Sequence, residues 1–396
     1  MTQNLTRLEV EQGFMSIFKE TNNLDLKTFF SPGRINLIGE HTDYNGGYVF
    51  PAAISYGTYA VAKPRQDNKV RLFSANFEQV GIIDIDLQQP IKHSETDHWA
   101  KYVKGVIWAM QEAGYNVGLG FDAYIQGDIP NSAGLSSSAS LELLTCEILS
   151  YVNNLNIDMV EKVKISQKAE NQYVGVMCGI MDQFAIGMGK KGHAIRLNTN
   201  DLSYQYAKAD LGAYCILIMN TNKPRALSDS AYNERRAECE KALSILQKQA
   251  QINHLCDLSP AEFEQINNEL KNDSIPYKRA KHCITENQRV MLALQALEKG
   301  DLTTFGELLN QSHSSLKEDY EVTGTELDTI VHQAQNHPSV LGARMTGAGF
   351  GGCAIALVKQ NDINDIQQKI SQGYTEAVGY KPSFYISNIG DGARML

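Results

Sequence analysis

Two stretches of this sequence hold more reactive side chains than a surface loop needs. In the first, Arg34 and Asn36 alternate with Ile35 and Leu37 as along a strand. Glu40, His41, Asp43, Asn45, Gly46 and Gly47 then crowd into one turn before Tyr48-Val49-Phe50 resumes a strand. Carboxylates accept hydrogen bonds from sugar hydroxyls, and histidine donates or accepts, so Glu40, His41 and Asp43 suit a polyol ligand. A polar surface hairpin is the plainer reading of the same residues. The second stretch, GDIPNSAGLSSSASLE at 127–142, joins a strand-like segment at 121–125 to an apolar segment at 139–152 with helical spacing. Gly134 permits the turn, and Ser136, Ser137 and Ser138 stand where the first amides of the helix point outward. Those amides, the hydroxyls and the positive end of the helix dipole together make an anion site suited to phosphate. A serine cluster also serves as a cap, but a cap needs only one serine. No lysine follows a glycine in the Walker position, so a nucleotide held here is gripped in another way.

Two further segments invite a chemical reading. In 175–189, Asp182 is embedded among Gly, Met, Ile and Phe, where a lone carboxylate is costly unless it is paired or used. A helix N-cap is the competing explanation. In 345–358, Gly347, Gly349 and Gly352 satisfy the G-x-G-x-x-G pattern of dinucleotide sites. That pattern requires a helix to follow, whereas 353–358 is a β-type apolar run.

The elements that must carry these residues are of mixed type. Strands are expected at 58–63, 70–74 and 214–220, and helices at 10–19, 99–113, 161–174 with Glu170, and 228–249, where Arg236 and Glu240 pair on a solvated face. Helical segments dominate 260–336, and no repeat or low-complexity tract is present. The chain turns polar near 198–203, which places a boundary between domains 1–200 and 201–396. With 396 residues and 43% hydrophobic content, two fused globular domains are expected. The net charge of -9 disfavours a general nucleic-acid or anionic-membrane binder, while leaving room for a local ATP pocket. No segment has the apolar length of a signal or a membrane span, which points to the cytoplasm. Seven scattered cysteines without a CxxC pair read as reduced thiols rather than a zinc site, and His332 and His337 as surface residues.

The run GRINLIGEHTDY at 33–44 resembles, over its full length, the galactose signature of galactokinases. The 127–142 loop and the 345–358 glycine turn resemble the second and third motifs of the wider family that includes homoserine, mevalonate and phosphomevalonate kinases (the GHMP kinases). The segment at 382–396 is similar to galactokinases as well. One residue departs: Ser132 stands where galactokinases often have glycine. The resemblance implies a two-domain α+β GHMP-kinase fold with its active site in the interdomain cleft. It also implies ATP-dependent phosphorylation of α-D-galactose to galactose 1-phosphate, the entry step of galactose breakdown. Carried over residue by residue, it makes Asp182 and Arg34 catalytic and gives the sugar to Glu40, His41, Thr42, Asp43, Gly179, Asp182 and Tyr232. The nucleotide falls to Ser74, Ser132, Ala133, Gly134, Leu135, Ser136, Ser137 and Ser138, and Mg²⁺ to Ser138 and Glu170. Galactose and ATP are then the partners of a monomer. A kinase for N-acetylgalactosamine or another hexose is the alternative within enzymes. A non-catalytic galactose and ATP sensor also resembles this family, but it lacks two residues of the serine-alanine run, which is uninterrupted here at 137–140.

Overall fold

The computed structural model describes residues 5–20, 25–130, 133–223 and 228–396. Helix α1 (Arg7–Phe18) leads into the long strand β1 (Lys27–Asn36). Strands β2 (Tyr48–Val49), β3 (Pro51–Pro64), β4 (Lys69–Ser74) and β5 (Ile83–Asp86) precede helix α2 (Ala100–Glu112) and strand β6 (Phe121–Gly127). Helices α3 (Ser137–Val152), α4 (Met159–Lys168) and α5 (Met181–Gly187) follow, then the hairpin β7 (His193–Asn198) and β8 (Tyr204–Lys208). The second half opens on β9 (Tyr214–Asn220) and is helical through α6 (Ser228–Leu246), α7 (Pro260–Ile266), α8 (Ser274–Glu298), α9 (Leu302–Ser315) and α10 (Gly324–Gln335). It closes with β10 (Val340–Thr346), β11 (Cys353–Lys359), α11 (Ile363–Val378), β12 (Ser383–Ser387) and β13 (Arg394–Met395).

Six strands in the order β13-β1-β3-β6-β4-β5 form the first sheet and β10-β11-β9-β12 the second, while β2-β7-β8 make a small third one. The first sheet buries Phe29, Ala60, Leu72 and Ala123 against α2 and α3. On its other face, Val61, Phe73 and Tyr124 cover Val10 and Phe14 of α1. The second sheet explains why β9 and β11 read as unbroken apolar runs. Leu217, Met219, Ala354 and Ala356 face the helices of the C-terminal half. Ile216, Ile218, Ile355 and Leu357 face a core shared with Ile35, Leu37, Phe50 and Ile54 of the N-terminal half. Alternate side chains leave a strand on opposite faces, and here both faces are buried. Each such Leu or Ile contributes about 1.5–3 kcal/mol of burial. The end of β1 and the 36–41 turn are therefore set on a core to which both halves contribute.

Chain order and architecture part company in two places. Residue 200 falls within the turn of the β7–β8 hairpin, and β13 returns from the C-terminus to pair with Phe29 and Phe30 of β1. The expected helix at 161–174 is α4 followed by a wider π-helical turn, Ala169–Val174, a form often found at functional sites. His337, read as a surface residue, is buried: its Nε2 lies 3.0 Å from Asp365 Oδ2, and its Nδ1 accepts from the Ser339 amide. The tertiary fold brought α11 against it, which no local signal announced. The strand after Gly352 is β11, in keeping with the rejection of a dinucleotide fingerprint.

Candidate active site

Three glycine-containing turns meet at the mouth of the two halves. Gly33 lies so close to the second that a β-carbon would stand 2.8 Å from the Leu135 carbonyl, and the Arg34 amide donates to that same carbonyl at 3.2 Å. In the third turn, β-carbons on Gly347 and Gly352 would stand 3.1 Å from the Gly134 carbonyl and 3.3 Å from that of Ala133. Each turn also holds one non-glycine residue in the left-handed region: His41, Ser136 and Phe350, with φ of 63°, 63° and 59°. Such residues cost on the order of 1 kcal/mol or more and persist where the surroundings impose them. Between the turns opens a cleft of about 470 Å³, lined among others by Arg34, Asp43, Ser136–Ser138, Asp182, Tyr232 and the 346–352 turn. That volume suits a small ligand pair.

Asp182 sits in the first turn of α5, two residues beyond the N-cap position that Ile180 occupies, so it is not a cap. Its carboxylate is instead gripped by Arg34, with Nε to Oδ1 at 2.7 Å and Nη2 to Oδ2 at 2.8 Å. Ser136 Oγ donates to Oδ2 at 2.5 Å. Arg34 is buried and its remaining nitrogen, Nη1, donates to the Gly134 carbonyl at 2.7 Å. Burial disfavours its charge, but Asp182 more than compensates and keeps the guanidinium ionised. The first serine of the cluster thus turns to the carboxylate and makes no cap bond. The last serine of the run, Ser140, binds the Ser31 carbonyl at 2.8 Å and the Thr58 hydroxyl at 2.9 Å, pinning α3 to β1 and β3. Ser137 and Ser138 remain at the helix start and line the cleft, beside Ala133, Gly134 and Leu135. Ser132 lies outside the described residues.

The sugar-signature residues share the cleft, with different degrees of freedom. Glu40 is almost fully buried: Oε1 accepts from the Gly347 amide at 2.7 Å and Oε2 from Asn36 Nδ2 at 2.6 Å. His41 is buried too, and both ring nitrogens already have protein partners. The Ala348 carbonyl, 3.2 Å from Nε2, can only accept, so Nε2 carries the proton and Nδ1 accepts from Tyr44 Oη at 2.7 Å. Tyr44 in turn accepts from Tyr320 at 2.8 Å, and Tyr320 from Cys239 at 3.1 Å. Burial and neighbouring His282 lower the His41 pKa to about 3, so the ring is neutral. Asp43 is pushed up to about 7 by burial, then by Asp182 and Glu40. The Tyr232 ring lies 5.7 Å from that of His41. Thr42 and Ser74 do not line the cleft: the Thr42 hydroxyl is used by the Gly39 and Tyr48 carbonyls inside the turn, and Ser74 ends β4.

Glu170 is the second residue of the π-helical turn and, like Ser138, lines the cleft. Its carboxyl is raised by burial and by Asp182, against the pull of Ser138, Cys178 and Gln183. Gln183 Nε2 bridges Glu170 Oε2 at 2.7 Å and Glu142 Oε2 at 3.1 Å. Glu142 is fully buried, and its Oε1, like Gln183 Oε1, has no hydrogen-bond partner among the described residues. Two buried carboxyl groups, Glu170 and Glu142, thus share one Gln183 amide, with Ser138 beside Glu170. Such hard oxygen donors with excess negative charge fit Mg²⁺. The described residues hold no cluster of three or more His, Cys, Asp or Glu that could hold a metal ion by themselves. Sequence reasoning missed Glu142, Gln183, Tyr320 and His282, whose Nε2 donates to the Glu40 carbonyl at 3.0 Å. Glu142 had a signal, since it follows Ser138 by four residues on one helix face. The contacts of Tyr320 and His282 had none.

A serine-lined helix start, a glycine turn against it and an Arg–carboxylate pair in a cleft between two α+β halves define a GHMP-class small-molecule kinase. The GHMP kinase N-terminal domain matches residues 101–190, the GHMP kinase C-terminal domain 293–376, and the galactokinase galactose-binding signature 12–64. The chain is 54% identical to the galactokinase of Enterococcus faecalis, over 97% of this chain and 98% of that one. It is 52% identical to that of Ligilactobacillus salivarius, over 98% and 99%. The chain belongs to the galactokinase family. The crystal structure of Lactococcus lactis galactokinase complexed with galactose superposes with a TM-score of 0.95 at 50% identity, covering 99% of this chain and all of that one. The Methanococcus jannaschii mevalonate kinase shares the fold, with a TM-score of 0.67 at 20% identity over 93% of this chain and all of that one.

Proposed function

We propose that this chain transfers the γ-phosphoryl group of ATP to the anomeric hydroxyl of α-D-galactose, giving galactose 1-phosphate and ADP. The observation that carries the reading is the Arg34–Asp182 pair, bidentate at 2.7 and 2.8 Å and set between the signature turn and the start of α3. Phosphoryl transfer asks the protein to align two oxygens and to stabilise spread negative charge. The start of α3 and the 347–352 turn hold the phosphates through backbone amides. Asp43 and Tyr232 bind sugar hydroxyls, Glu40 does so while also holding Gly347, and His41 forms the wall behind them. Asp182 accepts the hydrogen of the anomeric hydroxyl. Arg34 and Ser136 hold that carboxylate in place while the hydroxyl oxygen attacks phosphorus. Arg34, fixed in charge, stabilises the developing alkoxide and the transferred group. Ser138 and Glu170 would hold Mg²⁺, which would supply charge neutralisation of the phosphates.

The cleft draws residues from both halves of one chain, so a single copy is sufficient for turnover. All seven cysteines are free thiols, which suits the cytoplasm, and among the described residues no helix is long and apolar enough to cross a membrane. The deciding experiment measures ADP release with Mg-ATP against galactose, N-acetylgalactosamine, glucose, arabinose and no sugar. Galactose-dependent turnover at about 1 per second or faster is expected. Galactose binding without turnover would instead make the chain a sensor, and preferred turnover of another sugar would overturn the substrate.

A further inference from the structure

Arg344 of β10 is one of the largest fully buried side chains, and the use of its guanidinium is unusual. Nη1 donates to the carbonyls of Asn36 at 3.3 Å and Leu37 at 3.0 Å, across the junction in the signature turn. The same nitrogen lies 3.5 Å from Glu40 Oε1, and Nη2 lies 3.9 Å from Glu286 Oε1. Nε and Nη2 have no hydrogen-bond partner among the described residues. A buried guanidinium with idle donors is a poor device for stability, because an apolar side chain of similar length would fill the space without the desolvation cost. What the charge does supply is a fixed positive centre beside Glu40.

The neighbours of Arg344 act on the same short segment. Thr346 Oγ1 donates to the Asn36 carbonyl and accepts from its amide, both at 3.0 Å. Glu286 Oε1 accepts from the Gly39 amide at 2.9 Å, and His282 binds the Glu40 carbonyl. The turn that presents the sugar carboxylate thus takes four side chains of the C-terminal half in addition to its own pairing with Phe50. Burial pushes the Glu40 carboxyl up, and Arg344 is the strongest opposing influence.

We infer that Arg344 is a positioning residue for the sugar subsite: it anchors the 36–41 turn and orients the Glu40 carboxylate toward the sugar hydroxyls, without touching the sugar. This rests on the galactokinase reading. The test compares wild type, Arg344→Met and Arg344→Lys by thermal melting, by galactose Kd from calorimetry, and by KM for each substrate with kcat. Arg344→Met is expected to raise galactose Kd and KM ~10-fold or more, with kcat and the ATP KM within ~3-fold and the melting temperature little changed. Arg344→Lys, which keeps the charge, restores part of the loss. An unchanged galactose KM in folded Arg344→Met, or a parallel decline of every constant together with stability, would make Arg344 merely structural. If Arg344→Met fails to fold, Arg344→Lys decides: a selective rise in galactose KM supports the role, and wild-type values refute it. Wild-type protein that binds galactose without phosphorylating it refutes the activity alone, and the Kd comparison still judges Arg344.

Discussion

The α-carbon of Gly179 lies directly against the Asp43 carboxylate: a β-carbon there would fall 1.8 Å from Oδ2 and 2.3 Å from Cγ. The two residues are far apart in sequence, yet one is glycine because the other is aspartate. Gly179→Ala must displace Asp43, since nothing at 1.8 Å can be accommodated by a small adjustment. Galactose KM is expected to rise ~10-fold or more while the melting temperature moves by a few degrees at most, because the site borders an open cleft. A galactose KM within twofold of wild type would remove Asp43 from the sugar subsite.

Asp182→Asn keeps the shape of the side chain but loses the charge that receives the proton and half of the Arg34 clamp. A loss on the order of 10² or more in kcat is expected, with galactose Kd much less affected. Single-turnover phosphorylation together with calorimetric galactose binding separates the two effects, and near-normal turnover would end the assignment.

Asp43, with a pKa of about 7 through burial and the charges of Asp182 and Glu40, gives the site a pH dependence near neutrality. If sugar binds the ionised form, galactose affinity weakens by up to ~10-fold per pH unit as pH falls below 7. Stability runs the other way. A carboxyl raised above its unfolded value of 3.8 contributes stability that is fully present below about pH 4 and is lost as pH rises through 7. Asp43→Asn should flatten both profiles, as read by calorimetry across pH 5.5–8.5 and by urea melts across pH 4–8.

Ser138 and Glu170 both line the cleft, where burial and the charge of Asp182 raise the Glu170 carboxyl, and a divalent cation would relieve that repulsion. Ser138→Ala and Glu170→Gln are each expected to raise the Mg²⁺ concentration for half-maximal activity ~10-fold. Binding of Mn²⁺ with a non-hydrolysable ATP analogue, followed by electron paramagnetic resonance, gives a readout independent of turnover. Unchanged Mn²⁺ affinity in both variants would place the metal elsewhere.

Most of the secondary structure was open to the sequence because it rests on local pattern. The apolar runs at 214–220 and 353–358 and the helical spacing of 139–152 emerge as β9, β11 and α3, within a residue or two of their expected limits. The glycine-rich turns and the serine run were legible for the same reason, since backbone freedom and helix-start chemistry are properties of a few adjacent residues. The break of the 161–174 helix into a π-helical turn was not, because it depends on what Glu170 meets rather than on its neighbours in the chain.

What the sequence by itself determined is therefore the inventory: three turns, an arginine and an aspartate in suspicious settings, and a chain similar to one family from end to end. The tertiary structure alone decided the use of that inventory. It directed Ser136 to Asp182 instead of to a helix cap, spent both nitrogens of His41 on protein partners, and turned Thr42 into a brace for its own turn. It also brought Arg344, Glu286 and His282 from the far half of the chain onto the signature turn. A side chain's hydrogen-bonding capacity is fixed by its type. Its actual partner is fixed by which distant segments a shared core draws together, and that is a property no window of sequence contains.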